Sequence, residues 1–233
     1  MTGPLDLLSA AKCVLFDFDG PVCRLFSGHP AADVAAAMRA LSRHRFGYDV
    51  PVPAASADDP HAVLGVAGQE RPGSELVLEL ERLLTEEELR ATSTAEPTVG
   101  AGRLMELLSG RGVRLAITTN NSPRAASQYL EDRGLSAYFD GHVHGRTADP
   151  ALLKPNPHCL RRALETTGFT AEKSLMIGDS PADREAAGAL GVPFLGYVRN
   201  DAKLRRLRGR EPLVYIGSYG PLIEAFEAGH RAE

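Results

Sequence analysis

Asp17 and Asp19 stand one residue apart in Asp17-Phe18-Asp19-Gly20, directly after the apolar run Cys13-Val14-Leu15-Phe16. On extended backbone, side chains two apart leave the chain on the same side. A carboxylate oxygen can attack phosphorus in line and form an aspartyl-phosphate, which splits one hard hydrolysis into two easier steps. A second carboxylate beside it can protonate the leaving oxygen and then deprotonate a water. Gly20 permits a sharp turn and close approach of the backbone. Alone, Asp-x-Asp-Gly equally suits two carboxylates capping a turn. A calcium loop is a poorer fit, because Leu25, Phe26 and Ser27 stand where the later ligands would be.

Three further runs supply complementary groups. Gly178-Asp179-Ser180 with Asp183 adds two carboxylates, a set suited to Mg2+, which prefers hard oxygen ligands and retained waters. Asp179 is placed to coordinate the ion opposite Asp17, while Asp183, a helical turn on, either ligates through water or holds Lys154. The same run reads as a helix N-cap with an acidic first turn, and the two roles are compatible. In Thr118-Thr119-Asn120 a hydroxyl and the Asn120 amide could hold a phosphoryl oxygen near a helix N-terminus. Thr118 competes with Thr119, which is preferred because it directly precedes Asn120. Lys154, in Leu-Leu-Lys-Pro-Asn-Pro, could neutralise nucleophile and phosphate together. Taken singly, the Thr suits a structural strand end and the Lys a solvated surface.

These runs need elements that bring them together. Short apolar runs predict strands at Cys13–Phe16, Val113–Thr118, Gly141–His144, Ser174–Ile177, Val192–Gly196 and Leu213–Ile216. Helical patterns lie between them at Val99–Ser109, Pro123–Arg133, Pro157–Thr167 and Pro181–Leu190, with a last one from Pro221. Strand–helix alternation predicts an α/β fold with a doubly wound parallel sheet. Ligands bind such sheets outside the carboxyl ends of the strands. Three of the four runs lie there, and Lys154 lies in the loop after the weak strand Gly141–His144. Residues 23–97 interrupt the pattern with helices near Pro30–Phe46, Pro60–Gly68 and Gly73–Thr92. The last contains Thr85-Glu86-Glu87-Glu88, a capping-box pattern that would divide it in two. The expected organisation is therefore a core of residues 1–22 and 98–233 with a helical insert, 23–97, hanging over the pocket.

Composition narrows the class. The 233 residues, 43% hydrophobic, suffice for a sizeable core, and a net charge of −4 argues against a general nucleic-acid binder. The basic stretch Arg205–Arg210 reads as a solvated face. Three cysteines without metal spacing fit a reducing compartment with free thiols. No apolar run approaches the roughly 20 residues of a membrane span, so a cytoplasmic protein without membrane partners is expected.

In this order and at strand ends, the four runs resemble the haloacid dehalogenase-like hydrolase superfamily. The likeness extends from about Lys12 to Phe226 and is strongest at Phe16–Gly20 and Gly178–Asp183. The helical insert resembles the C1 cap of the phosphoglycolate phosphatase-like subfamily. The resemblance implies a Rossmannoid core, with Asp17 as nucleophile and Asp19 as acid/base. It also implies Mg2+ held by Asp17, the Asp19 carbonyl and Asp179. Thr119, Asn120 and Lys154 would bind the phosphoryl group, with Gly20 and Asp183 in support. Two positions depart from the family's usual wording: Pro21, and the stretch Arg146–Leu153 before Lys154. The implied activity is Mg2+-dependent hydrolysis of a small soluble phosphomonoester, of phosphoglycolate or sugar phosphate type. A phosphomutase, a 2-haloacid dehalogenase and a non-catalytic binding protein are the alternatives on the same fold. Candidate substrate contacts from the insert side are Arg24, His29 and Arg71. Arg24 follows the nucleophile loop and Arg71 sits in the Gly68–Gly73 loop. His142 and His144 read as core or edge residues.

Overall fold

The computed structural model describes residues 3–208 and 213–230. Helix α1 (Pro4–Ala10) leads into strand β1 (Cys13–Phe16). The insert follows as β2 (Cys23–Arg24), α2 (Ala31–Phe46), α3 (Pro60–Glu70), α4 (Glu75–Thr92) and β3 (Glu96–Pro97). The chain continues through α5 (Ala101–Gly110), β4 (Arg114–Thr118), α6 (Pro123–Asp132), β5 (Val143–His144) and α7 (His158–Thr167). It ends with β6 (Ser174–Gly178), α8 (Pro181–Leu190), β7 (Phe194–Tyr197), α9 (Asp201–Leu207), β8 (Tyr215–Ile216) and α10 (Gly220–His230).

Six strands form one parallel sheet in the order β5-β4-β1-β6-β7-β8. The α/β doubly wound fold is thus as expected. Strands β1 and β6 are buried along their whole length, which is why they read as unbroken apolar runs. The chain leaves β1 first toward β4 and β5, then returns to its other side for β6, β7 and β8. The switch point therefore falls at β1, and Asp17 is the residue that follows it. One face of the sheet is covered by a cluster around Phe16, Leu104, Tyr129 and Tyr219, the other by Leu15, Leu160, Met176 and Ala187.

The insert starts and ends on one antiparallel pair, Cys23 with Pro97 and Arg24 with Glu96. Between them α2, α3 and α4 enclose an apolar cluster of their own, including Met38, Leu64, Leu80 and Leu84. Helix α4 packs against α6 and α3 against the single helical turn Pro150–Leu152. A Cβ at Gly68 would stand 2.7 Å from Pro150, so a glycine there lets α3 approach closely.

Several boundaries differ from expectation. Gly73–Thr92 is not two helices: α4 runs unbroken from its Ser74 cap, and Thr85 is buried within it. The seventh strand begins at Phe194 rather than Val192, since Pro193 has no N–H to give the ladder. Helix α1 was not foreseen; the Asp6 carboxylate accepts from Gly3 N and Leu8 packs inward. In the basic stretch, Arg205 and Arg206 lie on the exposed face of α9 while Leu207 is buried; Gly209 and Arg210 lie outside the described residues. Among the described residues no helix is long and apolar enough to cross a membrane.

Ile177 is fully buried in β6 beside β1. Ile177→Ala is expected to lower stability by about 2–5 kcal/mol, the cost of a large-to-small change in a packed core, measured by urea unfolding.

Candidate active site

The turn after β1 is held by its own backbone. Val22 N and Cys23 N donate to the Phe18 carbonyl, Gly20 N donates to the Cys23 carbonyl, and the Thr98 hydroxyl donates to the Gly20 carbonyl at 2.6 Å. Gly20 has φ 122°, and a Cβ on it would run into the Asp179 carboxylate. Only glycine fits there. Pro21 is accommodated because the turn uses its carbonyl, which accepts from the Tyr219 hydroxyl at 3.0 Å.

Lys154 joins the separate runs. Its ammonium donates to Asp17 Oδ1 at 2.9 Å, to the Thr118 carbonyl at 2.9 Å and to Asp183 Oδ1 at 2.5 Å. The Asp183 Oδ2 atom accepts from Asp179 N, Ser180 N and the Ser180 hydroxyl. Asp183 thus completes the capping box of α8 while facing Lys154. Gly178 permits this, since a Cβ there would stand 2.6 Å from that of Asp183. Asn120 fixes the Lys154 backbone reciprocally: its Oδ1 accepts from Lys154 N at 2.7 Å and its Nδ2 donates to the Lys154 carbonyl at 3.2 Å.

Asp17, Asp179 and Asp183 each offer a carboxylate oxygen, all within 4.8 Å of one another, and all three residues are buried. Burial, followed by the charge on Asp183, pushes the Asp17 carboxyl up to about 8 despite Lys154. Burial also raises Asp179, to about 6, against the pull of the Lys203 ammonium that contacts it. Burial disfavours the Lys154 ammonium too, but Asp17 and Asp183 outweigh this and raise its pKa, so it stays charged. Two ammonium groups do not balance the carboxylates packed here. This hard, all-oxygen, charge-deficient set fits a divalent cation such as Mg2+. Asp19 sits apart from this group, its Oδ1 accepting from Leu25 N at 2.9 Å and its carboxyl raised by burial.

A cavity of about 620 Å3 opens between these residues and the insert. Asp17, Asp19, Thr119, Asn120, Lys154 and Asp183 line it from the core, and Asp59, His61 and Gln69 from the insert. Thr119 faces the cavity, its hydroxyl donating to Asn121 Oδ1 at 2.9 Å. The Thr118 side chain is buried and donates to Met176 Sδ. Arg24 and Arg71 are not brought to this cavity. Arg24 pairs with Glu96 and borders a separate recess beyond Asp19, with Arg199. Arg71 lies over the Tyr48 ring at 4.0 Å. His29 pairs with Glu87 at 2.7 Å. His142 and His144 bond Thr166 at the sheet edge, as their alternation suggested. Burial raises all three thiols, so none is an activated nucleophile.

Sequence reasoning missed the contacts that fasten the insert. Glu88 of α4 is fully buried and accepts from Asn121 Nδ2 at 3.0 Å, Ser122 N at 2.8 Å and Arg146 Nη1 at 2.9 Å. His61 Nε2 lies 3.2 Å from the same carboxylate. Arg146 also donates to Thr85, Glu81 and the Asn120 carbonyl. The signals were present but ambiguous: Thr85 and Glu88 imitate a capping box, and Arg146 begins the stretch that departs from the family's wording. Lys203 had no signal, being 24 residues from Asp179.

The model of the haloacid dehalogenase-like hydrolases matches residues 11–191. A phosphoglycolate phosphatase of Rhodospirillum rubrum is 40% identical over 104 residues, covering 43% of this chain and 42% of that protein. The match thus spans less than half of the relative's length. A probable phosphatase, IndB, of Dickeya dadantii is 27% identical over 221 residues, covering 92% of this chain and 93% of that one. Among solved structures, CbbY of Rhodobacter sphaeroides in complex with phosphate superposes with a TM-score of 0.66 at 17% identity. It covers 91% of this chain and 96% of that one, a likeness of fold.

Burial by itself pushes the Glu88 carboxyl up, but the His61 contact and the Arg146 guanidinium outweigh it and bring it down to about 2. A carboxylate more acidic folded than unfolded adds stability above its ordinary value of 4.5, and that stability is lost as pH falls toward 2. Glu88→Gln is expected to cost about 3 kcal/mol at neutral pH, as breaking a buried ion pair does. The gap from the parent protein should close as denaturation is repeated from pH 4.5 down to 2; a gap independent of pH would remove the charge from the explanation.

Proposed function

The chain belongs to the haloacid dehalogenase-like hydrolases, and from that premise we propose that it is a Mg2+-dependent phosphatase acting on a small phosphomonoester through an aspartyl-phosphate on Asp17. The observation that carries this reading is the Lys154 ammonium held between Asp17 and Asp183 beside Asp179, at the sheet's switch point and at the floor of a cavity.

Asp17 attacks phosphorus in line and displaces the alcohol oxygen. Asp19 gives that oxygen a proton; the upward push of burial on its carboxyl is the direction a general acid needs. Asp19 then takes a proton from water, whose oxygen attacks phosphorus, releasing phosphate and restoring Asp17. Lys154, fixed by Asn120 and Asp183, offsets charge on the phosphoryl oxygens and on Asp17. The Asn120 backbone N–H, with the Thr119 hydroxyl turned from Asn121 Oδ1, binds a phosphoryl oxygen. Mg2+, held by Asp17, the Asp19 carbonyl and Asp179, would supply the positive charge that keeps Asp17 ionised and neutralises the transferring group. Residues 23–97 act as a cap over a core of residues 1–22 and 98–233, excluding bulk water. A dehalogenase requires neither Asp19 nor the acidic cluster, so the phosphatase uses more of what is assembled here. Three buried free thiols suit action in a reducing cytoplasm.

The test is phosphate release from a panel of phosphomonoesters, with Mg2+ and with EDTA. Asp17→Asn is expected to lower turnover by more than about a thousandfold, the scale on which loss of a covalent nucleophile acts, with unchanged melting behaviour. Asp179→Ala should lose activity and Mg2+ response together; a parent-like Mg2+ titration would sink the metal assignment.

A second test reads no activity. Near pH 7 an Asp17 carboxyl pushed up to about 8 is mostly protonated. Mg2+ binding should therefore release about one proton, because ligands must be deprotonated. Titration calorimetry in two buffers of different ionisation heat measures it, and zero release would contradict the site as drawn.

A further inference from the structure

The wall of the cavity facing the phosphoryl end comes from the insert: Asp59, His61, Ala62, Gly65 and Gln69. Lys154 is the one Lys or Arg lining the cavity among the described residues, and its ammonium is taken by Asp17, Asp183 and the Thr118 carbonyl. His61 is the wall's single candidate cation, and carboxylates flank it. Its Nδ1 lies 3.7 Å from Asp59 and its Nε2 3.2 Å from Glu88. The insert's arginines that flank this wall in sequence are turned elsewhere, Arg45 onto Glu75 and Glu79 and Arg71 over Tyr48.

We infer that the cavity selects phosphomonoesters whose leaving alcohol is uncharged and hydroxyl-bearing, and rejects those carrying a second anion, phosphoglycolate included. The inference rests on the phosphatase reading above and deepens it. A carboxylate or second phosphate reaching this wall would face Asp59, more than half exposed, and the His61 imidazole is already engaged by Asp59 and by Glu88, which it shares with Arg146. Specificity then comes from repulsion as much as attraction. Hydroxyls meet the opposite situation: the Asp59 carboxylate accepts from them, and the Gln69 amide both donates and accepts. The cavity of about 620 Å3 leaves room for an alcohol much longer than two carbons, which suits a polyol or sugar.

A matched pair of esters tests this. Phosphoglycolate and hydroxyethyl phosphate differ only in a carboxylate against a hydroxymethyl group. The expected kcat/KM favours hydroxyethyl phosphate by about tenfold, as a like-charge contact at a partly solvated wall would give. Asp59→Asn keeps an oxygen to cap α3 but removes the charge, and should narrow that ratio several-fold. Equal or better turnover of phosphoglycolate by the parent protein overturns the inference. Should Arg199→Ala then abolish that preference, the carboxylate sits in the recess beyond Asp19 instead. Calorimetric binding of the same two esters to Asp17→Asn with Mg2+ separates the two levels. Tighter binding of hydroxyethyl phosphate supports the selectivity even where the parent hydrolyses no ester of the panel, in which case the phosphatase reading alone fails. Equal binding, or binding of neither, overturns the selectivity.

Discussion

A single buried ammonium organises the site. Lys154 lies between Asp17 and Asp183, which are far apart in the chain and would repel each other without it. Charges in such surroundings are screened little, so the position of one cation decides whether the carboxylates can share the space. Much of the local structure serves to fix that position. Asn120 clamps the Lys154 backbone from both sides, the α8 cap orients Asp183, and the parallel pairing of β1 with β6 sets Asp17 beside the Asp179 turn. Even so the acids exceed the bases, and burial, with the Asp183 charge adding to it, raises the Asp17 and Asp179 carboxyls.

The insert is attached by a second buried charge. Glu88 gathers donors from two core loops and from His61, so the loop carrying Thr119 and the wall carrying His61 share one anchor. Asn121 links the two, bonding Glu88 with its amide and Thr119 with its carbonyl oxygen. The two sides of the cavity are thereby held in fixed relation by one residue of α4 that does not itself line it.

The local regularities were legible because they are written in short-range chemistry. Unbroken apolar runs marked β1 and β6, Ser180 and Asp183 announced the cap of α8, and Gly168 and Gly191 closed α7 and α8 in left-handed conformation. Where short-range signals compete, the reading failed. Thr85 and Glu88 carry a helix-start pattern, yet burial and Arg146 recruit both into a continuous helix, because a satisfied buried network outweighs a cap.

The sequence alone determined the sheet's alternation and the cluster Asp17, Asp19, Thr119, Lys154, Asp179 and Asp183. All but Lys154, which comes from a loop beyond β5, follow strand ends closely, and parallel pairing brings strand ends to one edge whatever lies between. The tertiary structure decided what faces them. Arg24 and Arg71 had the right charge but found Glu96 and Tyr48 first, while Asp59, His61 and Gln69 reached the cavity. Which side chains of an insert point inward depends on how α3 and α4 seat against the core. Long-range contacts such as Gly68 on Pro150 and Glu88 on Arg146 fix that seating, and no local spacing encodes them.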